Sequence, residues 1–345
     1  MRSARLLGRS ASAILLVLAA TACTSPTRFR QPITNFEEAS VATAEAFKAS
    51  LLAANQVERD LAIFRAARVE EPLGDGADVF FAPTFSLEGI GVRLEALQAI
   101  GLFAKRLKAV AESSVGTETA SAIGSNVSNF NGLAARIDEV ANAGIDTASL
   151  SALTSPVGTL VGLIARLSIE QRQEQVIADA VRDAEGPIVE IIGFMKEDAR
   201  AFERLRRTAD GEMLARLVLD YNTDIENGAL STESARRKRL NAINKQAVTY
   251  QSTVSADVAV AFNQMEQAYK ALAEYARTPD SDIVFGNLIQ SIDIFLVRAD
   301  IAYDAARKLQ EALEANAAET GADETGTASE SGGPLAGGHV SPARR

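Results

Sequence analysis

The chain has 345 residues, 47% of them hydrophobic but only 6% aromatic, with no tryptophan, one cysteine, one histidine and a formal net charge of −10. A single cysteine excludes a disulfide scaffold, and the acidic balance argues against a nucleic-acid partner, which needs a basic stripe. A core of Ala, Leu, Ile and Val with few aromatics suits close helix packing better than a β-sandwich.

Arg2, Arg5 and Arg9 give the chain a basic start with no acid, and the apolar run from Ala11 to Ala20 follows. That run is too short to span a bilayer as a permanent helix, so residues 1–22 read as a secretory signal outside the fold. Cys23 stands directly behind the small residues Ala20, Thr21 and Ala22. This segment resembles the lipobox of bacterial lipoproteins, with Ala20 where that family most often has Leu. The resemblance covers only the first two dozen residues. It implies cleavage before Cys23 by signal peptidase II, diacylglycerol thioether-linked to the Cys23 thiol, and an acylated new amino terminus. Several acyl chains anchor stably, at about 0.8 kcal/mol for each buried methylene. Thr24, rather than Asp, after the cysteine implies by the same resemblance an outer-membrane position facing the periplasm. Ala20-Thr21-Ala22 also fits the small-x-small site of an ordinary signal peptide, which would leave Cys23 a free thiol. Without the three signal arginines the chain keeps 32 basic and 45 acidic residues, a charge of −13. That also argues against broad electrostatic adhesion to anionic lipid.

Residues 23–33 contain Pro26 and Pro32 and read as a lipid-anchored tether. Thr34 then offers an N-cap with Glu37 as its capping-box partner. Ala44, Phe47, Leu51, Ala54, Val57, Leu61 and Phe64 follow at steps of three and four, one face of an amphipathic helix ending near Glu70. Pro72, Gly74 and Gly76 break it. Asp75 and Asp78 in that loop lack the remaining ligands of a calcium site, and the phenylalanines after them, Phe85 last, read as a plug for the bundle end.

A second helix starts near Ser86 and carries Ile90, Leu94, Leu97, Ile100, Ala104, Leu107 and Ala111. A third shows Ile123, Val127, Phe130, Ile137 and Val140, with Gly144 as a C-terminal cap. Ser155 and Pro156 read as an N-cap and first helical residue. The pattern from there runs through Leu167, Val176 and Val181 to Gly186-Pro187, where proline predicts a kink or break. It resumes with Ile188 and continues through Phe202, Leu214, Leu217, Val218, Tyr221 and Ile225 to a stop at Asn227-Gly228. Leu240, Ile243, Ala247, Tyr250 and Val254 open a coiled-coil-like seam on a helix predicted over 231–277, about 70 Å long at 1.5 Å per residue. Thr278-Pro279-Asp280 closes it and opens a last helix carrying Val284, Leu288, Ile292, Phe295, Ala299, Ala302, Ala306, Leu309 and Leu313. Residues 317–345 are rich in Gly, Ala, Ser, Thr and Glu and read as a disordered tail. The expected fold is all-α: one elongated antiparallel bundle over 34–316 with coiled-coil-like packing.

The catalytic inventory is poor. The one histidine, His339, falls in the tail, and no His/Cys cluster or phosphate-binding loop is present. Gly89-Ile90-Gly91 is an isolated glycine pair. Glu197, Asp198 and Glu203 lie beside Arg200, Arg206 and Arg207 and read as solvated helix faces. The run Arg236, Arg237, Lys238, Arg239 reads as pairing with acids of adjacent helices, with an acidic partner or lipid headgroups as the alternative. No catalytic, cofactor-binding or metal-binding residue is assigned, and no cofactor is expected. Cys23, as the lipidation site, is the one residue given a chemical fate. Two functions compete. One is a lipid-anchored, non-enzymatic interaction or scaffold module with a protein partner in the cell envelope. The other is a membrane-perturbing protein resembling α-helical pore-forming toxins in pattern only, with a charge-poor hairpin over 119–165 built from 119–135 and 147–165.

Overall fold

The computed structural model of the chain describes residues 26–67, 83–111, 130, 132–142, 150–167, 174–255 and 257–326, with side chains between Arg28 and Glu314 except Glu174. These form nine α-helices and no strand among the described residues: α1 (Pro26–Ala66), α2 (Leu87–Ala111), α3 (Leu133–Asn142), α4 (Ser151–Arg166), α5 (Glu174–Asp183), α6 (Glu185–Glu226), α7 (Glu233–Ser255), α8 (Val258–Arg277) and α9 (Asp282–Gly326). The expected all-α bundle is the fold.

Local chemistry starts and stops these helices. The Ser86 hydroxyl accepts from the Gly89 N–H ahead of α2, Thr232 from Ala235 ahead of α7, and the Asp257 carboxylate from Val260 ahead of α8. At the end of α6, Gly228 takes φ +72°. The Ala229 N–H then reaches the Asp224 carbonyl and the Gly228 N–H the Ile225 carbonyl, the paired closure of a Schellman motif. α5 and α6 are separated at Ala184, with Pro187 third in α6. The break expected at Gly186-Pro187 is thus found just before it.

Helix direction follows from paired contacts. Arg28 meets Asp282 at one end, and Val57 and Leu61 cluster with Leu309 and Leu313 near the other, so α1 and α9 run the same way. Phe47 meets Phe202 and Arg65 meets Glu212, which aligns α6 with both. α2 runs the opposite way, from Phe85 beside Asn55 to Lys108 beside Glu37. α7 and α8 together return along α6. Asp224–Arg239, Asp210–Thr253, Glu203–Ala259, Lys196–Glu266 and Glu185–Arg277 are all in contact. The residue numbers of each pair add to 462 or 463, so one antiparallel register holds over the whole length of α6.

The core is Ala- and Leu-rich with an aromatic spine. Phe29 packs tilted at 4.8 Å against Tyr275, Phe36 at 5.6 Å against Tyr269 and Phe295, and Phe47 meets Phe262 edge to face at 5.2 Å. Phe85 lies 4.3 Å from Phe202 and is part of this core.

Several expectations need correction. Residues 26–33 are not a tether but the first two turns of α1. Phe29, Ile33 and Phe36, spaced four and three apart, are all buried, and that burial outweighs the hydrogen bond lost at Pro32. Thr34 is inside the helix, its hydroxyl donating to the Arg30 carbonyl at 2.9 Å, so the Thr34–Glu37 capping box does not form. Phe130 does not lie inside the third helix, which begins at Leu133, directly after Gly132 with its φ of +85°. α4 starts at Ser151, not Ser155, and holds Pro156 in its interior. The helix predicted over 231–277 is two helices divided by Asp257. The last helix continues to Gly326, ten residues past the boundary read at 316. Cys23, Pro72, Asp75, Asp78, Gly144 and His339 lie outside the described residues, as do 119–129, 131 and 143–149 of the hairpin.

Candidate interaction surface

α6 outruns the bundle. α1 ends at Ala66, level with the Arg65–Glu212 pair, whereas α6 continues from Met213 to Glu226, about 21 Å further at 1.5 Å per residue. It turns at Asn227-Gly228 and comes back as α7. No residue from Gly211 to Lys245 is fully buried. This stretch is a helical arm, flanked at its base by α9 through Met213, Leu309 and Leu313.

α7 turns an unexpected face inward. Its buried residues are Gln246, Thr249 and Thr253, not the predicted seam. Leu240 is 47% exposed and Val254 40%, and Ile243, Ala247 and Tyr250 are half-buried. On α6, Leu214 and Tyr221 are half-buried while Val218 is 39% and Ile225 41% exposed. Apolar side chains at helical spacing therefore line the arm without being enclosed by it.

The arm's root is polar and buried. Asp210 accepts hydrogen bonds from Thr253 Oγ1 at 2.6 Å and Gln246 Nε2 at 3.1 Å. Glu203 accepts from the Ala259 N–H at 3.3 Å, where α8 begins. Between them Arg206 is fully buried, and none of its three guanidinium nitrogens has a hydrogen-bond partner among the described residues. Burial pushes the Arg206 guanidinium down, against the opposing pull of Glu203 and Asp210. Burial pushes the Asp210 carboxyl up, against its hydrogen bonds from Thr253 and Gln246 and the field of Arg206. Glu203 is likewise raised, by burial first and then by Asp257. Glu203 and Arg206 are therefore not on a solvated face as the sequence reading has them. Asp198 also turns inward, accepting from buried Arg93 at 2.7 Å, whereas Glu197 pairs with Arg200 on the surface.

The basic run at the arm's tip is engaged. Arg236 donates to the carbonyls of Leu230 and Ser231, Arg237 pairs with Glu233, and Arg239 pairs with Asp224 of α6. The Arg239 pair is of the adjacent-helix kind expected.

A groove of about 570 Å³ lies between α1 and α2. Leu94, Leu97 and Ala44 form part of its floor, while Lys48 and Lys105 stand with Glu45 and Glu95 on its walls. Its size suits a small molecule, but the mixed charges select no ligand class. Among the described residues no group of three His, Cys, Asp or Glu side chains could hold a metal ion. No family model, no curated protein and no solved structure matches the chain.

Proposed function

We propose that the protein is a lipid-anchored module of the cell envelope, held to the outer membrane through Cys23 and facing the periplasm. It acts without catalysis, by presenting its α6–α7 arm to protein partners. The observation that carries this reading is the polarity of the molecule. α1 begins at Pro26, three residues after Cys23, at the end of the bundle opposite the arm. Three Cα steps reach at most about 11 Å. A lipid on Cys23 would therefore hold one end of the bundle at the membrane, with the arm's turn roughly 80 Å away by helix rise.

Two measurements test it. Cys23→Ser is expected to abolish labelling by a fatty-acid analogue and to move the protein from the membrane to the soluble fraction. Persistent membrane association would sink the anchor. A photo-crosslinking residue on the arm is expected to capture an envelope protein in intact cells, and the same probe at exposed Ile283 is not. Equal capture at both ends would remove the arm from the proposal. No observation on the described residues favours the membrane-perturbing reading. Leu153, Val157, Leu160 and Ile164 of α4 are buried in the core, and no described helix is long and apolar enough to cross a membrane.

A further inference from the structure

The first turns of α1 and α9 stand side by side. Arg28 Nη1 lies 3.0 Å from Asp282 Oδ1, and the Arg28 guanidinium sits 5.5 Å over the Phe285 ring. The turn ahead of α9 is closed on itself. The Ser281 N–H donates to the Thr278 carbonyl at 3.1 Å, and the Ser281 hydroxyl accepts from the Val284 N–H at 3.3 Å as a helix cap. Ile283 is held by this closed turn. Its side chain is 79% exposed, the highest value for a large apolar residue among the described residues. Pro279, Val284 and Phe285 around it are half-buried.

A single exposed isoleucine on a helix flank is ordinary. Ile283 differs in its place. In an α-helix each Cα–Cβ bond tilts toward the N-terminus, so a side chain in the first turn of α9 leans out of the end of the bundle, away from the arm. Pro26 is at the same end, within about one helical turn of Ile283 in height, as the Arg28–Asp282 pair sets it. A lipid on Cys23 lies at most about 11 Å from Pro26. Such an anchor makes contact between this end and the bilayer an intramolecular event, so that one apolar side chain suffices to populate it.

The neighbouring charges indicate the kind of lipid surface. Arg28 pairs with Asp282, and Arg277 with Glu185 and Glu274. Arg30 is matched in number by Asp280. No basic excess stands at this end among the described residues, so anionic headgroups gain no hold here. An apolar side chain among balanced charges fits the boundary between zwitterionic headgroups and acyl chains.

We propose that Ile283 is a second membrane contact, entering that boundary on a zwitterionic phospholipid surface one helix away from the lipid on Cys23; this deepens the anchoring reading and rests on it. A lipid tether alone leaves the bundle free to lie on its side. Two contacts, beneath α1 and beneath α9, seat its end on the bilayer and direct the α6–α7 arm away from it.

The chain has no tryptophan, so one introduced at a chosen position reports its own surroundings. The full chain is reconstituted on phosphatidylcholine vesicles through Cys23, either by its native lipid or, where the thiol is free, by coupling to a maleimide-bearing phospholipid. The anchor is supplied in both cases, so failure of the Cys23 labelling test and failure here are separate results. I283W is expected to shift its emission to shorter wavelength on the vesicles and to be quenched by phosphatidylcholine brominated on its acyl chains. L87W is expected to show neither. Leu87 is 76% exposed in the first turn of α2, close to the Phe85–Asn55 contact and about 40 Å up the bundle. N287W, one turn further along α9, is expected to be quenched less than I283W. Tryptophan itself favours the interface, so native Ile283 is tested separately: the quenching of N287W is expected to be lost in N287W/I283D. I283W emission that vesicles leave unchanged overturns the contact, and equal quenching of N287W and N287W/I283D overturns the part of Ile283 in it. Quenching of L87W or N287W as strong as that of I283W overturns the upright seating. A shift that appears only when phosphatidylglycerol is added overturns the zwitterionic surface in favour of headgroup charge.

Discussion

Arg206 carries a charge into the interior at the root of the arm and finds no hydrogen bond there among the described residues. Its compensation is the field of Glu203 and Asp210, three residues before and four after on the same face of α6. Burial sets the balance for Asp210, whose carboxyl is raised above its ordinary value. A folded-state pKa above the unfolded value of about 3.9 means that the folded state holds the extra proton in that window. Stability is then lost as pH rises through it and regained on acidification. Asp210→Asn keeps an acceptor for Thr253 or Gln246 and removes the ionisation. It is expected to be more stable than the wild type at pH 7 by on the order of 1 kcal/mol, with the difference vanishing below about pH 3.9. Urea unfolding midpoints at the two pH values measure this. A destabilised variant at pH 7 would mean that Arg206 needs the Asp210 charge more than burial opposes it. At the opposite end, Phe29→Ala removes a fully buried ring packed against Tyr275. A loss of about 3–5 kcal/mol is expected. A chemical-denaturation shift near zero would return residues 26–33 to the status of a tether.

At the scale of the helix, sequence and structure agree where the signal is local. Ser86 ahead of α2 and Asn227-Gly228 after α6 are legible because a hydroxyl cap and a positive φ act within one turn. The division of α7 from α8 carries a signal of the same kind, Asp257 three residues before Val260, but the longer apolar periodicity masks it. The start of α1 is misread for the opposite reason. Pro26 and Pro32 are read as breakers, whereas the Phe29, Ile33, Phe36 spacing carries the helix through them. Periodicity identifies an apolar stripe but not what covers it. The seam from Leu240 to Val254 is visible in the sequence, yet its exposure follows from the Gln246, Thr249, Thr253 face winning the contact with α6 through the hydrogen bonds to Asp210. Glu203 and Arg206 were illegible as buried groups, because a charge at helical spacing looks the same on a solvated face as beneath a neighbouring helix.

The whole molecule is a bundle with two unlike ends. One end holds Pro26, the Arg28–Asp282 pair and the Arg277–Glu185 pair. The other passes beyond α1 as α6 and α7, with no fully buried residue from Gly211 to Lys245, while α9 continues to Gly326. Between them a single pairing register runs from Glu185–Arg277 to Asp224–Arg239, unbroken by the interruption at Asp257. That constancy makes the arm a ruler whose graduations can be changed. Beyond Tyr221 no buried residue depends on the count. Seven residues inserted after Tyr221 and seven matching ones before Ala242 would keep the Asp224–Arg239 pair and extend the reach by about 10 Å. Small-angle scattering on such a variant is expected to show the longer particle with an unchanged unfolding midpoint. Seven residues added to one leg alone would instead misalign Asp224 and Arg239. Reach is thus set by the length of two legs that must change together, independently of the core that holds the bundle.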